Sequence, residues 1–168
     1  AEATNHYFKH LGVSDGLSQV CIPSIYQDEL GAVWLGTTEG LNRYNGKDVK
    51  VFQPSESNHG LTNNEINELC GDKNGRMYIR SGNDLIKLDI YTEQFTCLRQ
   101  KGVYGLFCKK DTLWVSCADG IYYYTGQGTE LTFFARVQKG FVGRALYVDR
   151  ETVWVVTRKY LVAISRED

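Results

Sequence analysis

Proline occurs only twice in this chain, at Pro23 and Pro54, and methionine once. Long hydrophobic runs are missing: no stretch approaches the ~18 apolar residues of a membrane-spanning helix. No apolar signal segment opens the chain either. Its N-terminus therefore fits a cytosolic protein or the mature piece of an exported one. No charge of one sign dominates, with 19 Lys and Arg against 20 Asp and Glu and a formal net charge of −1. The densest basic stretch is Lys109-Lys110, which excludes the electrostatic footprint of a nucleic-acid binder. The five cysteines, Cys21, Cys70, Cys97, Cys108 and Cys117, are odd in number and contain no C-x-x-C. That spacing argues against a disulfide scaffold and a zinc site, and predicts small buried hydrophobes. Neither a G-x-S-x-G nor a Gly-rich strand–helix phosphate loop is present. With no helix-period segment and no catalytic constellation, the chain is read as non-enzymatic and without a cofactor.

Glycine and aromatic residues are plentiful instead: 17 Gly, 11 Tyr, 7 Phe and 3 Trp in 168 residues. With so little proline, they suit short strands joined by tight turns. Four segments align without a gap over twelve positions, namely 33–44, 77–88, 113–124 and 153–164. Their second residue is Trp34, Tyr78, Trp114 and Trp154, an aromatic at intervals of 44, 36 and 40. A period near 40 marks one supersecondary unit built repeatedly.

The first copy defines the unit. Residues 23–27 read as strand A, and Asp28-Glu29-Leu30-Gly31 as a turn in which Asp accepts backbone bonds and Gly supplies positive φ. Residues 32–36 form a doubly buried strand B, 41–44 begin strand C, Asn45-Gly46 signals a two-residue hairpin, and 48–52 form strand D. The second copy places A to D at 65–70, 77–79, 85–88 and 94–98, and the third at 104–108, 114–116, 121–124 and 130–134. The fourth has A at 145–148, B at 153–156 and C at 161–164, and lacks D. Residues 7–11 resemble the first strand D, and Phe8 precedes Gly16-Leu17-Ser18 by the same eight residues as Phe52 precedes Gly60-Leu61-Thr62. They read as an orphan outer strand, the device by which a closed ring removes a sheet edge. Four-stranded units of this length with an aromatic in strand B are the signature of β-propeller blades. The expected fold is all-β: a β-propeller fragment of about four four-stranded antiparallel blades, the last lacking its outer strand. As one partial propeller over 1–168, it divides into the orphan strand 7–11, blades at 17–60, 61–102 and 103–140, and an incomplete blade at 141–168.

At Trp34-Leu35-Gly36-Thr37-Thr38-Glu39-Gly40-Leu41-Asn42-Arg43-Tyr44-Asn45-Gly46, preceded by Asp28-Glu29-Leu30-Gly31, the chain resembles the two-component regulator propeller repeat. Phe8-Lys9-His10-Leu11 with Asp15-Gly16-Leu17-Ser18 is similar to the start of such sensor regions. The second copy keeps Asp72 and Gly75 but has Tyr78 for Trp, and the third and fourth have shortened A–B turns. The resemblance implies the periplasmic, extracytoplasmic sensor half of a hybrid two-component regulator in a glycan-degrading bacterium. A membrane-linked histidine kinase and a DNA-binding output domain would lie elsewhere in the parent chain. It also implies that four blades are the N-terminal part of a larger propeller, partnered by its remaining blades. Since an open arc would expose the apolar faces of its end blades, a second copy in a homodimer is the other partner considered.

For Trp34, Tyr78, Trp114 and Trp154, inter-blade packing outweighs a sugar-stacking role, because strand B is buried on both faces. In Tyr122-Tyr123-Tyr124, alternation puts Tyr122 and Tyr124 on one face and Tyr123 on the other. His6 and His10 share a strand face and His59 lies in a loop, with no third metal ligand placed, so they read as solvated. Asp72-Lys73-Asn74-Gly75 resembles a calcium loop, but Asn83 stands where a carboxylate is needed, so a plain turn is expected. A ligand would meet the face carrying the D–A and B–C loops: Thr38, Glu39, Asn63, Asn64, Asn83, Asp119, Arg144, Arg158 and Tyr160. Polar groups with an occasional aromatic suit an oligosaccharide. Two other roles compete: a structural or dimerising propeller that passes a signal on without binding ligand, and a propeller lyase or glycosidase. Contact of this segment with nucleic acid or membrane is not expected.

Overall fold

The computed structural model describes residues 9–55, 60–137 and 142–166. Apart from a 3-10 turn at Val13–Asp15, all regular structure among them is strand. The first sheet has the order β1 (Ser24–Gln27), β2 (Val33–Thr37), β3 (Gly40–Tyr44) and β4 (Val49–Phe52), antiparallel throughout. The second repeats it with β5 (Ile66–Gly71), β6 (Arg76–Ser81), β7 (Asp84–Asp89) and β8 (Gln94–Arg99). The third has β9 (Val103–Lys109), β10 (Thr112–Cys117), β11 (Gly120–Tyr124) and β12 (Thr132–Arg136). The fourth holds three strands, β13 (Ala145–Val148), β14 (Thr152–Val156) and β15 (Leu161–Ser165). Strands β1, β5, β9 and β13 neighbour one another in succession, so they are the inner strands of four consecutive propeller blades. Among the described residues the sheets do not close into a ring.

Three expectations need correction. Residues 9–11 form no strand, while residues 7 and 8 lie outside the described residues, as do His6 and His59. The third outer strand runs Thr132–Arg136 rather than 130–134; its ladder with β11 ends at the Tyr123–Thr132 pair and carries a bulge between Ile121 and Tyr122. The β3–β4 connection is not a two-residue turn. The ladder ends at the Tyr44–Val49 pair, and Asn45 Oδ1 accepts the amides of Lys47 and Asp48 at 2.9 and 2.8 Å, closing a four-residue loop.

The aligned aromatic column becomes the packing rule. Trp34 is buried with Leu69, Ile79, Ile86 and Leu88 between blades one and two. Tyr78 is buried with Leu106, Leu113 and Tyr124 between blades two and three, and Trp114 with Leu146, Val153 and Val155 between three and four. Each aromatic of strand B thus covers the next blade. At about 1.5–3 kcal/mol per buried large apolar side chain, these seams supply the main drive for stacking the blades. Trp154 is only half-buried, and Tyr147, Val156, Tyr160 and Leu161 on the same blade are exposed. No fifth blade follows it among the described residues.

The turn before strand B explains why Asp and Trp recur together. Asp28 Oδ1 accepts the amides of Leu30 and Ala32 at 3.0 and 2.9 Å, and its Oδ2 accepts Trp34 Nε1–H at 2.7 Å. Asp149 repeats this with the amides of Glu151 and Thr152 and with Trp154 Nε1–H at 2.9 Å. In blade two, Tyr78 has no indole N–H, and Asp72 pairs with Arg76 instead. The bond from Trp154, followed by those from the two amides, holds the Asp149 carboxyl below the usual carboxylate range. A depressed folded-state pKa stabilises the fold above the unfolded value near 4 and withdraws that support as pH falls through the folded value. Urea midpoints should therefore decline on acidification below about pH 4, and less steeply in Asp149→Asn. Equal pH slopes for the two proteins would refute the assignment.

Candidate ligand-binding site

Because neighbouring strands are antiparallel, every B–C turn lies at the same end as the link that leads into strand A. Hydrogen bonds staple the two together in each blade, through polar side chains in the first two. Ser18 N–H donates to Asn42 Oδ1 at 2.9 Å, Asn42 Nδ2 donates to Ser18 Oγ at 2.7 Å, and the Ser18 and Thr37 hydroxyls share a bond of 2.9 Å. In blade two, Asn63 N–H donates to Ser81 Oγ at 3.0 Å, and that hydroxyl donates to the Asn63 carbonyl at 2.8 Å. Backbone bonds do the same later: Ala118 N–H to Gly102 O and Arg144 N–H to Val156 O, both at 2.8 Å. Thr37, Asn42 and Ser81 are buried, so these staples position the loops and are not free to bind.

All nine loop residues expected to meet a ligand, Thr38, Glu39, Asn63, Asn64, Asn83, Asp119, Arg144, Arg158 and Tyr160, are exposed at this end. They are spread over four blades, and Asp119 lines a concave feature. That feature is a pocket of about 780 Å³ bordered by Ala118, Asp119, Tyr122, Phe133, Arg136 and Val137. Asp119 Oδ1 accepts Arg99 Nη2–H at 2.7 Å, and Oδ2 accepts the Tyr122 hydroxyl at 2.9 Å. Burial opposes ionisation of Asp119, but the bonds from Arg99 and Tyr122 outweigh it and hold the carboxyl below its usual range. The Arg99 guanidinium stands 4.7 Å over the Tyr122 ring, which packs edge-on against Phe133 at 5.5 Å. Phe133 remains 51% exposed, an apolar plate beside a fixed carboxylate and two guanidinium groups. Such a surface can stack on the C–H face of a sugar while its hydroxyls meet the charged groups.

Sequence reasoning placed Asp119 and the facing of the tyrosine triplet. Tyr122 and Tyr124 face the seam with blade two, and Tyr123 faces blade four. It missed Arg99, Phe133 and Arg136. Arg99 reaches the pocket from the neighbouring blade, and Phe133 is set opposite Tyr122 by the β12 bulge, neither of which alternation encodes. Among the described residues, no group of three or more His, Cys, Asp or Glu could hold a metal. His10 is exposed, and the Asp72 carboxylate accepts the amides of Asn74 and Arg76 and pairs with the Arg76 side chain, as a plain turn requires. Among the described residues, no helix is long and apolar enough to cross a membrane.

Residues 16–39, which contain the Ser18–Thr37 staple and the Asp28–Trp34 turn, match the family described as two component regulator propeller. A curated relative, histidine kinase P4 of Formosa agariphila, is 40% identical over 53 residues, which is 32% of this chain and 4% of that protein. The extracellular domain of a hybrid two component system from B. thetaiotaomicron has a similar structure, with a TM-score of 0.80 and 22% identity over 95% of this chain. The chain spans 25% of that domain. The computationally designed Ika4 protein is similar at a TM-score of 0.65 and 14% identity, over 89% of this chain and 94% of that one.

Proposed function

Because this chain carries a two-component regulator propeller repeat, we propose that it is a non-catalytic segment of the periplasmic sensor region of a hybrid two-component regulator. Within that parent it helps to detect glycan-derived oligosaccharides and to signal to a histidine kinase and a DNA-binding output. The observation that carries this reading is the match over residues 16–39, and the kinase relative and the extracellular domain of similar fold support the extracytoplasmic placement. The Asp119–Tyr122–Phe133 pocket is where this segment would contribute to binding.

Calorimetric titration of the complete sensor ectodomain with an oligosaccharide panel tests it. Binding is expected, and Phe133→Ala combined with Asp119→Asn should weaken it about tenfold by removing the plate and an acceptor. An ectodomain that binds no sugar would remove the carbohydrate part of the proposal, and binding untouched by the double substitution would remove the pocket. A second reading, in which the segment assembles the sensor and transmits motion without binding, is favoured by the exposed Tyr147, Val156, Tyr160 and Leu161 on the last blade. In that case substitutions there would abolish signalling while the pocket variants signal normally.

A further inference from the structure

Two of the five thiols lie on different blades yet touch. Cys70 is on β5 and Cys108 on β9, the inner strands of blades two and three, and their Sγ atoms are 2.8 Å apart. Both line the same inter-blade seam, beside Tyr78 and Leu113, and both are half-buried rather than sealed. The other three stand elsewhere: Cys21 is exposed in a loop, Cys97 packs in the seam between blades one and two, and Cys117 is buried at the far end of β10. An odd count of scattered cysteines concealed this pair, because its members are 38 residues apart and meet only when two blades stack.

We infer that Cys70 and Cys108 form a reversible inter-blade disulfide by exchange with a small-molecule disulfide, which stitches the second blade to the third. The sulfurs need approach by less than 1 Å to reach the bonding distance of about 2.05 Å. The Cys108 thiolate attacks one sulfur of the oxidant R–S–S–R, forming a mixed disulfide and expelling one R–S⁻, which takes up a proton. The Cys70 thiolate then attacks the Cys108 sulfur and expels the second R–S⁻. Two S–H bonds and one S–S bond break, and one S–S and two S–H bonds form. The protein loses two electrons, and R–S–S–R is reduced to two thiols. Burial and the neighbouring Cys108 push the Cys70 thiol up and thin its thiolate, so the second, intramolecular step draws on the 2.8 Å proximity of the two sulfurs. Occurrence of the bond in cells rests on the extracytoplasmic placement proposed above, since cytosolic thiols are kept reduced. Its formation in solution does not.

The test is to incubate the purified chain with oxidised glutathione at about pH 8, near the pKa of a free thiol, then block, digest with trypsin without reductant and map the peptides. The expected product joins peptide 51–73 to peptide 102–109. The melting temperature should rise on the order of 10 °C and fall back with reductant, because the bond closes a loop of about 38 residues in the unfolded chain. Cys70→Ser and Cys108→Ser should abolish the rise, and Cys97→Ser should keep it. Glutathione left on Cys108 without a link, or links that involve Cys21, Cys97 or Cys117 under native conditions, would overturn the inference. Peptide mapping of the unsubstituted chain decides this even where a serine variant fails to fold.

Discussion

Trp34→Ala is expected to cost about 4 kcal/mol of folding stability, within the range for removing a fully buried aromatic. Trp34 is wholly buried, stacks on Phe52 at 5.7 Å and lies under the Arg43 guanidinium at 5.6 Å. Truncation empties the centre of the seam between the first two blades and strands the Asp28 carboxylate, itself only 4% exposed, without its indole donor. Trp34→Phe separates the two losses: it keeps most of the packing and forfeits the N–H, so about 1–2 kcal/mol is expected. The equivalent Trp154→Ala should cost only about 1–2 kcal/mol, because that ring is half-buried and no blade covers it among the described residues. Urea unfolding with comparable slopes measures all three. Equal effects at Trp34 and Trp154 would mean that the inter-blade seam is not what the aromatic column serves.

Gly40→Val should cost at least about 3 kcal/mol, from backbone strain and steric overlap together. Gly40 opens strand β3 with φ at +125°, a conformation that L side chains rarely adopt. A Cβ there would stand 2.7 Å from the Phe52 carbonyl oxygen and 3.0 Å from Gln53 Cγ. The obstacle at Phe52 is backbone, and it cannot retreat without opening the Leu41–Phe52 pair of the β3–β4 ladder. The Gly40 carbonyl also accepts the Thr37 hydroxyl at 2.8 Å, so displacement reaches the staple at the loop end. Gly31→Ala is the control. Its φ is +86° but nothing lies within 4 Å of the added carbon, so only the conformational cost of about 1 kcal/mol should remain. Similar losses at both sites would show that overlap with β4 is not what reserves position 40 for glycine.

Much of this architecture was legible residue by residue. Repeating apolar columns with Gly and Asp in the turns placed the strands within a residue or two, since burial on both faces leaves few registers open. Local details depart from that pattern. The third outer strand lies two residues further along and carries a bulge, and the Asn45 side chain reinforces a turn that the Asn45–Asp48 backbone bond closes. The orphan strand expected at 7–11 is absent from the part that is described, residues 9–11. The nine loop residues share one end of the blades because antiparallel pairing dictates it. Their grouping was not legible, because loop geometry depends on which blade stands beside which.

The aligned aromatics at 34, 78, 114 and 154 show the division. From sequence alone follow the period, the blade, the repeat's resemblance and the Asp28 turn before strand B, because each is written in the local pattern of one copy. The stacking of blades decided the rest. It buried three of the four aromatics and left Trp154 half-exposed, brought Arg99 to Asp119, and set Cys70 against Cys108. Those contacts join residues 20 or more apart in the chain, so only the packed chain reveals them.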